Sequence, residues 1–135
     1  MSFQQDYIQY RLERAHEVLD IAKLAADTGA FNSCVNRLYY AMFYAVNALL
    51  FRHAYSSPKH TGVRALFNQH FIKTGLIPKE YGQLYNDLFE LRQESDYKDF
   101  FYADPDEVLP LIPQVQTFIE LVSKQLLPDQ REEAS

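Results

Sequence analysis

The sequence predicts an all-α fold, an up-and-down helical bundle of four long helices plus one short helix, and three observations carry that expectation. Apolar residues recur at steps of three and four, not two, along most of the 135 residues. The four glycines and six prolines are few, and most fall where such stretches begin or end. No segment alternates in the manner of a half-buried strand. With 47% hydrophobic residues, a chain of this length can bury one core, so residues 1–127 are expected to form a single domain.

The first helix runs from Phe3 to Asp27, with Ile8, Leu12, Ala15, Leu19, Ala22 and Ala26 on one face, and stops at Thr28-Gly29. A second starts near Ala30 and continues through Phe51. Tyr55 to His60 reads as a loop, after which Val63, Leu66, Phe67, His70 and Phe71 mark a short helix ended by Thr74-Gly75. Pro78 suits the first turn of a fourth helix whose seam is Tyr81, Leu84, Leu88, Leu91 and Ser95. Asp104 reads as the N-cap of a last helix with Val108, Ile112, Val115, Ile119, Val122 and Leu126 on its face. Pro110 and Pro113 predict either a kink in it or a start nearer Val115. Residues 128–135 are polar and expected to be disordered.

Composition narrows the function. One cysteine, Cys34, excludes an intrachain disulfide framework or a cysteine-based zinc cluster, and no run approaches the ~20 apolar residues of a spanning helix. The first residues lack the basic and apolar regions of a signal peptide, so the expected location is cytoplasmic, without a membrane partner. A formal net charge of −5 argues against nucleic acid until it is mapped along the chain. Residues 1–27 carry −2, residues 28–79 carry +6 and residues 80–135 carry −9. The basic middle contains Arg37, Arg52, Lys59, Arg64, Lys73 and Lys79 and no acid. It either faces an anion such as a nucleotide or RNA backbone, or pairs with the acidic half of the chain.

Two polar features stand out. In the second helix Ser33, Asn36, Arg37, Tyr40, Tyr44 and Asn47 share one stripe on an otherwise apolar cylinder. A plain solvent face would carry Glu and Lys, whereas amides, hydroxyls and one Arg suit a cleft, a subunit interface or a buried network. At the end of the fourth helix, Arg92 and Asp96 are four residues apart beside the apolar seam. Arg before Asp is the weaker order for a surface pair, worth a few tenths of a kcal/mol, so stability alone explains it poorly. At a cleft mouth Arg92 could hold a phosphate while Asp96 orients it. The loop Ser57-Pro58-Lys59-His60-Thr61-Gly62, with Arg64 in the first turn that follows, offers a cation, an imidazole and a hydroxyl before a helix start. No glycine-rich phosphate loop, nucleophile elbow or paired-histidine zinc motif is present, and no metal or cofactor is implied.

The strings Asn36-Arg37-Leu38-Tyr39-Tyr40-Ala41-Met42-Phe43-Tyr44, Lys59-His60-Thr61-Gly62-Val63 and Leu91-Arg92 with Ser95-Asp96-Tyr97 together resemble the HEPN domain, and the likeness spans about residues 3–127. The closest match is its small stand-alone branch. That resemblance implies a dimeric helical bundle that binds nucleotide or RNA and is often paired with a minimal nucleotidyltransferase as a toxin–antitoxin system. Many family members are metal-independent ribonucleases with the signature Arg, four to six residues, His. Arg92 matches the Arg, but Tyr97, Lys98 and Asp99 fill the three positions where the His falls. The candidate residues are thus Arg92, Asp96 and Tyr97 for chemistry, with Tyr97 also a candidate nucleotidyl acceptor by analogy, and Arg37, Tyr40, Lys59, His60 and Arg64 for phosphate or RNA. The rival functions are a binding module, an active ribonuclease centred on Arg92, and a purely structural dimerisation module.

Overall fold

Residues 2–127 are described by a computed structural model, so the expected disordered tail at 128–135 lies outside the described residues. Helix α1 spans Phe3–Asp27 and is capped by Ser2, whose hydroxyl accepts from the Gln5 amide at 3.2 Å. Its face of Ile8, Leu12, Ala15, Val18, Leu19 and Ala22 is fully buried. Gly29, with φ +79°, supplies the left-handed step that reverses the chain, and α2 follows over Phe31–Arg52. Helix α2 packs most extensively along α1 and also meets every other helix introduced below. Eleven of its residues are buried, which makes it the axis of the bundle.

Helix α3 occupies His60–Phe67 and widens into a π-helical turn over Asn68–Ile72. The expected loop over Lys59-His60-Thr61-Gly62 is therefore corrected: Lys59 stands at the N-cap, and His60, Thr61 and Gly62 form the first turn. Bare Gly62 makes that possible, because a Cβ there would lie 2.0 Å from the Ser57 hydroxyl oxygen of the preceding turn. Helix α4 spans Lys79–Tyr97, with Pro78 immediately before it. Gly82 admits the π-turn, since a Cβ at that position would meet Ile72 at 3.0 Å.

The prolines break the last helical stretch. Asp104 caps a one-turn helix α5, Pro105–Val108, by accepting from the Asp106 amide at 2.9 Å. Helix α6 then runs over Leu111–Leu126, led by Pro110 and with Pro113 in its first turn, where a missing N–H goes unnoticed. The break falls at Pro110, and α6 begins four residues before Val115. The four long helices are thus α1, α2, α4 and α6, with α3 the short one and α5 an added single turn. None among the described residues is long and apolar enough to cross a membrane.

The core is continuous across α1, α2, α4 and α6, so its stability rests on α2. Replacing Leu38, which is fully buried, by Ala is expected to remove about 2–5 kcal/mol of unfolding free energy in urea titrations. Leu24→Ala, at a position 64% exposed, is expected to change it by less than about 0.5 kcal/mol; equal losses would contradict the assigned core.

Candidate anion site around Arg92

Tyr39 of α2 is fully buried at the junction of α2, α3 and α4. Its ring centre lies 5.2 Å from that of Tyr40, 5.9 Å from Phe43, 5.8 Å from Tyr85 and 6.1 Å from Phe89. Above this aromatic floor sits Arg92 of α4, with its guanidinium carbon 4.8 Å from the Tyr39 ring centre and 5.5 Å from that of Tyr40. Cation–π contact contributes about 0.5–2 kcal/mol, the larger figure when desolvated. Arg92 is the one buried charged residue among the described residues.

Asp96, one turn on, places its carboxylate 3.3 Å from Arg92 Nε. That distance allows attraction, but the alignment does not make a hydrogen bond, and Nε has no acceptor. Asp96 is also partly solvated, so it neutralises Arg92 only in part. Burial opposes the Arg92 charge, yet Tyr40, Tyr39 and Asp96 outweigh it and hold the guanidinium pKa above its ordinary value. A guanidinium kept charged this way is suited to pairing with an anion.

His60 supplies a second donor. Its Nδ1 lies 2.8 Å from the Tyr39 hydroxyl, and its ring stacks on Phe43 at 4.7 Å. Burial raises the Tyr39 pKa, so the phenol keeps its proton. Burial, and then the nearby Arg92 charge, lower the His60 pKa. Which of the two groups donates follows from the His60 tautomer. With Tyr39 donating to Nδ1, the proton of neutral His60 sits on Nε2, which makes the ring a donor to anything bound beyond it.

Arg37 completes the cluster. Its guanidinium donates to the Asn36 side-chain oxygen through both Nε and Nη2 and lies 5.6 Å from the Tyr40 ring centre. Tyr40 therefore contacts two guanidinium groups, from α2 and α4. Five expected site residues, Arg37, Tyr40, His60, Arg92 and Asp96, come together here. Three do not. Arg64 is turned to α4, over Phe89 at 4.0 Å and 3.5 Å from Glu90. Lys59 is exposed at the α3 N-cap, and Tyr97, 77% exposed, ends α4. Among the described residues, Arg64–Glu90 is the one ion pair between the basic middle and the acidic half. No cluster of three metal-ligating side chains occurs among them.

Tyr39 and Phe43 belong to this cluster without having been expected in it. Their spacing of four, which places both rings on one face of α2 beside Tyr40, was the available signal. The polar stripe containing Tyr40 is half-buried from Asn36 to Asn47, with Ser33 exposed. Tyr44 meets Arg11 and Arg14 of α1, each guanidinium 5.5 Å from its ring centre.

Because folded His60 binds its proton less readily than the unfolded chain does, protonation favours unfolding. Its contribution to stability is present above the ordinary histidine pKa of about 6.5 and is lost as pH falls below it. In an NMR titration the His60 ring is expected to titrate below 6.5, and Arg92→Gln to raise that value without restoring it fully, since burial remains. A His60 pKa insensitive to Arg92 would contradict the arrangement.

Comparison with known proteins agrees with this architecture. The sequence model described as the HEPN domain matches residues 8–126. A "UPF0332 protein" of Thermotoga maritima is 40% identical over 124 residues, covering 92% of this chain and 94% of that relative. A protein of Methanocaldococcus jannaschii named "Putative toxin" is 30% identical over 119 residues, 88% of each chain. A "UPF0332 protein" of Archaeoglobus fulgidus is 27% identical over 115 residues, 85% of this chain and 91% of its own. With the helical bundle and a match over most of its length, the chain belongs to the HEPN domain family.

Proposed function

We propose that this protein binds nucleotide or RNA phosphate at Arg92 and acts as one half of a toxin–antitoxin pair with a nucleotidyltransferase. The observation that carries the binding is the Arg92 guanidinium, kept charged and fixed over Tyr39 and Tyr40 while Asp96 neutralises it only in part. The His60 ring and the Arg37 guanidinium stand around the same Tyr40 ring. The pairing rests on the resemblance of the Arg37-to-Tyr44 and Arg92-to-Tyr97 motifs and on two M. jannaschii relatives that carry the name "Putative toxin". In a homodimer, the same resemblance brings two copies of Arg92 to one groove.

The positions where the family signature places its histidine are filled by Tyr97, Lys98 and Asp99, which favours binding over hydrolysis by an imidazole base. The protein is therefore expected to bind short RNA with salt-dependent affinity and not to cleave it in EDTA. Arg92→Ala is expected to weaken binding by about 10- to 100-fold, matching the ~1.5–3 kcal/mol of a charged hydrogen bond. Metal-independent cleavage that disappears in Arg92→Ala would replace the binding function with a ribonuclease. Unchanged binding in that variant would leave a structural dimerisation role.

A further inference from the structure

Helix α1 has a second apolar stripe that the bundle does not cover. Phe3, Tyr10, Ile21 and Leu24 are between 42% and 79% exposed, and with Tyr7, Arg14 and Glu17 between them they follow steps of four and three along the helix. That is the spacing of a coiled-coil seam, repeated on a face other than the one that packs into the core. On the side of α2 it is bordered by Arg11, which meets Tyr44, and by buried Val18. Asp6, Glu13 and Asp20 border it on the side open to water. A seam of this length left open on one helix marks an interaction surface.

The seam is complementary to itself. Its centre falls between Arg14 and Glu17, whose side chains are paired at 3.0 Å. The steps on either side of that centre match, because Tyr10 stands four residues before Arg14 and Ile21 four residues after Glu17. Turned end for end, a second copy therefore places its Glu17 opposite Arg14, its Arg14 opposite Glu17 and its Ile21 opposite Tyr10. The two pairs within the chains join into a ring of four alternating charges, closed at each end by an aromatic ring against an aliphatic chain. Aligned in the same direction, the copies would set Arg14 against Arg14 and Glu17 against Glu17, which repel. Crossing helices diverge away from their closest point, so Phe3 and Leu24 stay at the margin of the contact.

We infer that α1 is an interface for a second copy of this chain, packed antiparallel with Arg14 facing Glu17 and Tyr10 facing Ile21. None of the four residues belongs to the Arg92 cluster, so the inference does not depend on the phosphate site or on any pairing of copies there.

Sedimentation velocity on the full chain reads the assembly. Arg14→Glu and Glu17→Arg are each expected to weaken self-association by about 10-fold or more, since each sets like charges opposite one another. An equimolar mixture of the two variants is expected to restore it, because each then supplies the charge that the other lacks. A role confined to the Arg14–Glu17 pair within one chain predicts no rescue on mixing, as both chains keep like charges side by side. Register is read by oxidative cross-linking, in which buried Cys34 takes no part. Tyr10→Cys chains mixed with Ile21→Cys chains are expected to join, whereas either alone joins poorly, because position 10 of the two copies lies about 16 Å apart in this register. A wild-type chain that is monomeric at about 100 μM, or single charge variants that associate as the wild type does, would overturn the inference and leave the seam to a different protein. Tyr10→Cys chains that join each other as readily as they join Ile21→Cys chains would overturn the antiparallel packing.

Discussion

The contact on which the site depends is the guanidinium of Arg92 lying against the ring of Tyr39. It joins the central helix to the end of α4 and brings a positive charge into a place where few side chains could accept it. Tyr39 also bonds His60, so one buried phenol fixes both the cation and the imidazole beside it. Removing the Tyr39 ring would take away the floor beneath Arg92 and the hydrogen-bond partner of His60. For this reason Tyr39 is a positioning residue: its hydroxyl is committed within the protein.

The rest of the bundle follows from the need to hold that junction. Helix α2 touches all the other helices, and its small residues Ala41, Ala45 and Ala48 are completely buried, letting neighbours approach closely. Gly62 lets α3 begin at His60, and Gly82 lets the π-turn after α3 lie against α4. Both glycines thereby locate α3, and so the imidazole, relative to Arg92. The net charge of −5 does not oppose an anion site, because local groups decide. Two guanidinium groups share the Tyr40 ring, and the acids nearest them are Asp96, partly solvated, and none from the basic middle of the chain.

Much of the fold was legible in the sequence because its helices are amphipathic or apolar in long runs and end at strong signals. Thr28-Gly29 marks the first turn-around, and the apolar faces of α1 and α4 predict much of what is buried. The start of α3 was not legible, since it depends on the space between Gly62 and Ser57, which no local pattern encodes. The two prolines of the last helix foretold an interruption, but its place at Pro110 depends on capping by Asp104 and on Pro113 falling within a first turn. For the site, Arg92 and Asp96 could be paired by spacing alone, and Arg37 with Tyr40 by their shared stripe. Tyr39 could not be separated from the core by its pattern, because it is core; its role comes from which groups the tertiary fold brings to its hydroxyl and its face. Arg64 looked equally suitable in sequence, yet Glu90 and Phe89 claim it.

If the Arg92 guanidinium is the group that pairs with an anionic oxygen, its Nε–H reports the event. That proton can be observed directly in 15N-labelled protein, since burial slows its exchange with water. On titration with a nucleoside monophosphate, the Arg92 Nε–H resonance is expected to shift downfield saturably, together with the ring signals of His60 and Tyr40. A resonance that stays fixed while the nucleotide binds elsewhere, or at no concentration, would contradict the account.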